Sequence, residues 1–278
     1  MTIKSIKKVF IHEWPFFIGI PALIWQMLFF YIPLFFMMLL SMSGVSGQNF
    51  LPFFKPVYAT VIGRSLLLAL SNALLCGIIA YPLAYFIVFR GKYFKNLLLF
   101  LLIVPFWTNF LLHIFAWFFV LERDGFLNNF LRFIGVINEP LHLLNSMVAV
   151  GIMMVYNYLP FMVLPIYSSL ERFDRRLIEA SLDLGATWWQ TVRRVLLPVS
   201  LSGIQAGFFL VFVPSFGEFV IPELLGGDKI MFVGTVVSQY VLGTQTIALG
   251  AAFTVLSCCA LIASALLLYW LIQKIIRS

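Results

Sequence analysis

Charged side chains are rare in this sequence. Only 10% of its 278 residues are Asp, Glu, Lys or Arg, against 62% hydrophobic, and the mean hydropathy is +1.02, which excludes a soluble globular domain. Cysteine is rarer still. Cys76, Cys258 and Cys259 lie in apolar runs without CxxC spacing, so they imply neither a disulfide framework nor a zinc site and read as buried small hydrophobes. His12, His113 and His142 are too far apart for a local metal cluster, and His12-Glu13 runs into Trp14, Pro15 and Phe16 instead of completing HExxH. No GxxxxGK[ST] is present, which excludes ATP binding by a P-loop, and there is no nucleophile elbow. An enzyme would need a site assembled from distant spans. No repeat of about 20 to 50 residues and no low-complexity tract is visible, nor a clear inverted repeat. The net charge of +7 is dispersed between apolar runs, so it reads as membrane topology and not as a nucleic-acid surface.

What is present is a series of apolar runs, each of the roughly 20 residues needed to cross a hydrocarbon core. They predict an all-α polytopic membrane protein, a single transmembrane domain over 1–278 with six spans near 16–40, 57–89, 97–120, 144–170, 196–220 and 247–272. Lys4, Lys7 and Lys8 before the first run resemble a signal sequence in charge order, and Ser41 to Gly47 mimics a cleavage site. The run is too long for an h-region, so an uncleaved first helix is expected. Gln48 to Pro56, Glu122 to His142 and Pro222 to Gln245 read as loops. Six spans put both termini on one side. That side collects Lys4, Lys7, Lys8, Arg90, Lys92, Lys95, Arg172, Arg175, Arg176, Arg193, Arg194, Lys274 and Arg277; the other has Lys55, Arg64, Arg123, Arg132 and Lys229. By the positive-inside bias the termini are expected to be cytoplasmic.

The longest polar interval is Glu171 to Pro198, with nine charged residues, five of them arginine. It cannot lie in lipid. Phe173, Leu177, Ile178, Leu182 and Leu184 fall broadly on one side of a helix. Gly185 suits a left-handed C-terminal cap, and Thr187 can cap a second helix through Trp188, Trp189, Val192 and Val195. The segment reads as helix, glycine turn, helix, lying against the cytoplasmic membrane face. Two roles fit that pattern equally well: a solvated loop that sets topology, or a helix that docks a partner.

Glu179-Ala180-Ser181, then Gly185, then Val195 to Pro198 resemble the EAA motif of ABC importer permease subunits: Glu-Ala-Ala, three residues, Gly, nine residues, Ile-x-Leu-Pro. Ser181 and Val195 are the departures. Leu101 to Asn109, Leu127 to Leu131, Leu159 to Asp174 and Gly217 to Gly227 are similar to spermidine/putrescine (PotB/PotH-type) permeases, a likeness running from about Arg64 to the C-terminus. The resemblance implies a type I ABC importer (MetI-like) permease fold in a bacterial inner membrane. It also implies a second permease subunit, two cytoplasmic ATPase subunits, a periplasmic polyamine-binding protein and lipid as partners. No cofactor or metal is expected on this chain, and no nucleic acid. Segment 171–198 would then couple to the ATPases through Glu179, Ala180, Ser181, Asp183, Gly185 and Pro198. An iron, sulfate or other small-solute ABC permease is the nearest alternative, followed by a stand-alone secondary transporter or channel.

Glu218 is the one acidic residue expected at membrane depth, where a lone charge costs several kcal/mol. Either it pairs with Arg64 or a backbone group, or it attracts a cationic substrate. Pro214 and Gly217 can break the helix beside it. Polyamines suit carboxylates and aromatic faces, so Glu218, Trp107, Asn109, Tyr156 and Asn157, with Tyr158, are candidates for the substrate path. Asn72, His113 and Gln205 are expected to hydrogen-bond between helices.

Overall fold

A computed structural model describes residues 19–43, 48–91, 93–227, 230–243 and 246–277, with 275–277 described by backbone alone. Lys4, Lys7, Lys8, His12, the first residues of the first expected span, Gly44 to Gly47, Lys92, Lys229 and Gln245 lie outside the described residues. Among the described residues, five helices are long and apolar enough to cross a membrane: α1 (Gly19–Ser41), α2 (Pro56–Arg90), α6 (Met147–Glu171), α8 (Trp188–Gly217) and α11 (Ile247–Arg277). Ser146 starts α6 by accepting the Ala149 N–H at 3.3 Å, and Pro56 opens α2 from the first turn, where its missing N–H costs nothing.

The third expected span is not one helix. It divides into α3 (Lys95–Trp107) and α4 (Phe110–Leu121), and α4 continues into α5 (Phe126–Phe133); the two halves meet at 98°. Pro105 lies in a 3₁₀ turn, Val104–Trp107, that ends α3. Asn109 is extended and accepts the Leu111 N–H at 2.9 Å, so it begins a new helix and does not continue the old one.

The core is the mutual packing of α2, α6 and α8. Of the most apolar 18-residue window, 44% is buried in α6 and none in α1, so α1, which leans on α11, is peripheral. Close approach of α6 and α8 depends on Gly203-x-x-x-Gly207. A Cβ on Gly203 would sit 2.5 Å from the Pro165 carbonyl oxygen, and one on Gly207 2.7 Å from Met162 Sδ. Lipid tails are as apolar as leucine, so direct backbone packing of this kind holds membrane helices together. Asn72 adds a buried hydrogen bond from α2 to Ser215 of α8 at 2.8 Å. Gln205 does not make the interhelical bond expected of it: its Nε2 is buried without a partner among the described residues.

Two helices widen to a π turn just before a proline. Met27–Tyr31 precedes Pro33 in α1, and Val192–Leu196 precedes Pro198 in α8. Proline cannot donate to the carbonyl four residues back, and the wider turn accommodates it while the helix runs on. As a result Pro198 does not separate a short helix from a span: Trp188 to Gly217 is continuous.

Two expected loops are helical. Within Glu122 to His142, α5 is amphipathic and held by fully buried Asn128, which donates to the carbonyls of Glu122 (3.2 Å) and Leu141 (2.9 Å) and accepts the Leu141 N–H (2.9 Å). The second expected loop, Pro222 to Gln245, contains α10 (Val233–Leu242) and most of α9 (Val220–Leu225). Ser65 of α2 anchors the start of α10 by accepting the Val233 N–H at 2.8 Å. Its other end joins an aromatic cluster of Phe53, Tyr58, Tyr240 and Phe253. The hydrogen bond shared with Tyr58 (3.0 Å), aided by burial, pushes the Tyr240 hydroxyl up to about 12 and keeps it neutral. Of the cysteines only Cys76 is buried; Cys258 and Cys259 are exposed on α11, a helix at the edge of the bundle.

Candidate functional site

Between α6 and α8 the chain leaves the bundle as a short helix, α7 (Arg176–Asp183). Asp174 starts it by accepting the Arg176 N–H at 3.0 Å. It ends in a Schellman cap. The Gly185 N–H reaches the Leu182 carbonyl at 2.9 Å and the Ala186 N–H reaches the Ser181 carbonyl at 3.2 Å. Gly185 sits at φ +82°, and a Cβ there would meet nothing within 4 Å. The glycine is therefore demanded by backbone conformation, not by space. Thr187 and Gln190 then form a reciprocal capping box that opens α8.

No residue of α7 is buried. Glu179, Ala180, Asp183 and Gly185 are all exposed, and so are three members of the apolar stripe, Leu177 (50%), Leu182 (44%) and Leu184 (89%). The stripe thus faces away from the chain, while Phe173 is buried and Ile178 half-buried. Ser181 is turned inward: its hydroxyl shares a 3.0 Å hydrogen bond with Thr191, which is fully buried. Pro198 is exposed in the first turn after the π turn.

The segment is fastened to the core at both ends. Arg175 donates to the Val88 carbonyl at 2.6 Å and lies over the Phe89 ring at 5.2 Å, and Phe89 in turn meets Phe173. Trp188 packs edge-on against Tyr85 at 5.6 Å. Lys95 pairs with Glu171 where α3 begins and α6 ends. The segment is thereby tied to α2, α6 and α8.

Glu218 follows the last residue of α8 in extended conformation. Its Oε1 accepts the N–H groups of Val220 (3.0 Å) and Ile221 (3.4 Å), which starts α9, and its Oε2 accepts the hydroxyl of buried Tyr158 at 2.8 Å. Both oxygens are engaged. No ion pair joins it to Arg64, which lines a separate cavity with Met147 and Phe232; among the described residues the ion pairs are Lys95–Glu171 and Arg132–Asp124.

Of the other candidates, Tyr156 and Asn157 come together. They line a cavity of about 240 Å³ at the break between α3 and α4, with Phe106, Thr108, His113 and Phe161. His113 does not bridge to another long helix; its Nε2 lies 2.5 Å from Thr108 Oγ1 across the break, and its ring stands edge-on to Tyr156 at 5.7 Å. Trp107 is 76% exposed, Asn109 is spent on capping α4, and neither lines the cavity.

Sequence reasoning passed over Tyr158 as a partner of Glu218, Thr191 as a partner of Ser181, and Phe106 and Phe161 as cavity walls. The Gly203-x-x-x-Gly207 spacing was legible as a helix-packing signal. The aromatic partners carried none, because aromatic residues make up 17% of the chain.

The family model of the binding-protein-dependent transport system inner membrane component matches residues 73–277. The spermidine/putrescine transport system permease protein PotB of Escherichia coli (strain K12) is 39% identical over 231 residues, covering 83% of this chain and 84% of that protein. PotB of Haemophilus influenzae (strain ATCC 51907 / DSM 11121 / KW20 / Rd) is 37% identical over 241 residues, with 83% and 84% covered. In fold, the chain is similar to one in the crystal structure of a bacterial alginate ABC transporter in complex with an alginate pentasaccharide-bound periplasmic protein. The TM-score is 0.77 at 17% identity, with 98% of each chain covered.

Proposed function

The chain belongs to the family of binding-protein-dependent transport system inner membrane components, and from that membership we propose that it is one permease subunit of an ATP-driven importer of polyamines, spermidine or putrescine. Its curated relatives are transport permeases and not enzymes. In this reading a second permease subunit, two cytoplasmic ATPase subunits and a periplasmic polyamine-binding protein complete the complex. ATP is hydrolysed on the partners. Lipid covers the outward faces of α1 and α11, and the Lys and Arg distribution puts both termini and α7 in the cytoplasm.

The observation that carries the coupling role is the display of α7: rigidly capped at both ends, tied to α2 and α8, and free of burial along its outer face. Glu179, Ala180, Leu184 and Gly185 form the docking face. Ala180 permits close approach, and the exposed leucines supply the apolar area. Ser181 works from beneath through Thr191, Asp183 stands at the rim, and Pro198 sets the π turn by which α8 enters the membrane. Closure of the ATPases moves α7, and its fastening to Val88, Phe89 and Tyr85 transmits that motion to the core as a rigid-body shift.

Cross-linking tests this directly. An Ala180→Cys variant in a background with Cys258 and Cys259 replaced by serine, labelled with a maleimide that carries a photoreactive benzophenone, is expected to join the ATPase subunit on illumination of the assembled complex. A complex that transports normally yet yields no such adduct at Ala180 or Leu184 would overturn the assignment.

A further inference from the structure

The cavity at the α3–α4 break has a composition that fits one class of ligand. Its walls include the rings of Phe106, Phe110, Tyr156 and Phe161, and its polar groups are Thr108, His113 and Asn157; no carboxylate lines it. The rings are set at steep angles to one another, Phe106 against Phe161 at 83° and His113 against Tyr156 at 90°, so they present faces on different sides of the same space. Pro105 and Phe106 bring the C-terminal end of α3 to the wall. The Pro105 carbonyl is taken up by the Thr108 N–H (3.3 Å) and hydroxyl (2.8 Å), and what that end offers a cation is the negative pole of a helix dipole. The opposing pole of α4 is blunted because Asn109 already accepts the Leu111 N–H. On α6, Tyr156 lies about 14 Å from one end of a helix about 37 Å long. The site is therefore well inside the span, at a broken helix of the kind that forms binding sites in other transporters.

We propose that this cavity is an aromatic box that holds one primary ammonium end of the transported amine by cation–π contact, with the Asn157 side-chain oxygen accepting its N–H groups and the C-terminal pole of α3 favouring its charge. Recognition by this chain then proceeds without a carboxylate, and Glu218 is a positioning residue that fixes the α8–α9 turn through Tyr158. The inference rests on the polyamine reading only for the identity of the amine; the chemistry of the box asks for an alkylammonium ion.

An accessibility assay in the assembled complex, without ATP, tests it. With Cys258 and Cys259 replaced by serine, a Thr108→Cys thiol at the cavity wall is labelled with maleimide in the presence of putrescine, of butylammonium, or of neutral 1-butanol as control. Both ammonium compounds are expected to slow labelling, and butanol is not. Adding Phe161→Leu should raise the concentration for half-protection about thirtyfold, the size of one desolvated cation–π contact. Gel filtration confirms that each variant still assembles. Equal labelling with and without the ammonium compounds, or equal protection by butanol, overturns the box. If the wild-type complex fails to import polyamines but butylammonium still protects position 108, the polyamine reading falls and the box stands.

Discussion

Replacing Gly185 isolates backbone conformation as the property that matters in the α7 cap. At φ +82° a side-chain-bearing residue pays about 1–2 kcal/mol, while space is not at issue, because nothing lies within 4 Å of an added Cβ. Gly185→Ala gains back a few tenths to about 1 kcal/mol from the unfolded chain, which leaves a net loss near 1 kcal/mol. Asparagine tolerates the left-handed region, so Gly185→Asn should lose less, and β-branched Gly185→Val more. The expected order of cap stability is Gly, Asn, Ala, Val. Hydrogen exchange reads it at the amides of Gly185 and Ala186, whose bonds to the Leu182 and Ser181 carbonyls close the cap. A loss of 1 kcal/mol speeds exchange there roughly fivefold, and ATP-dependent uptake should fall in the same order. An order by side-chain volume, with Asn worse than Ala, would refute the conformational argument. So would four variants with equal protection.

Gly203→Leu should disrupt the α6–α8 contact, since even a Cβ meets the Pro165 oxygen at 2.5 Å. Overpacking of this kind costs about 1–3 kcal/mol, and an unchanged melting temperature in detergent would contradict it. Tyr158→Phe removes the donor to Glu218 Oε2. It is expected to cost about 1–3 kcal/mol in thermal stability, and Glu218→Gln with Tyr158→Phe should lose less than the sum of the two single changes; strict additivity would show that the pair does not interact. Asn128→Asp keeps the acceptor for Leu141 but loses both donors, so limited proteolysis should cut near α5 faster than in the parent chain. Equal cleavage would show that the clamp is not holding α5.

The long apolar runs were readable because a single period, sustained over twenty or more residues, leaves little else to fit. The α3–α4 break was not, although Pro105 and Asn109 both lie in the run. A proline within a span is compatible with a continuous helix, as Pro160 and Pro165 show in α6; what differs at Thr108–Asn109 is the extended backbone and the new cap. The helices α5, α9 and α10 were hidden by glycine and asparagine, residues that usually mark turns. Here Asn128 is instead the buried clamp of a helix, and Gly234 allows α10 to approach the end of α8, where a Cβ would meet the Gly217 carbonyl oxygen at 2.4 Å. In the coupling segment, spacing alone located the cap at Gly185 and the start of α8 at Thr187. That Ser181 faces inward and Leu184 outward depends on Thr191 and on the tie between Arg175 and Val88, contacts from other elements that no local pattern encodes. Glu218 was narrowed to two roles by its cost in a membrane. Only the positions of Tyr158 and the α9 amides decide which groups its oxygens meet.

In the proposed importer, ATP hydrolysis on partner subunits drives amine import through this chain by way of α7. The most direct measurement is uptake of labelled putrescine and spermidine into proteoliposomes containing this chain with its permease partner, ATPase subunits and binding protein. Uptake is expected to require ATP and the binding protein, to persist without an ion gradient, and to fail with Gly185→Pro while the spans remain folded. Uptake that survives ATP depletion and follows an ion gradient, or that is untouched by Gly185→Pro, would contradict the account.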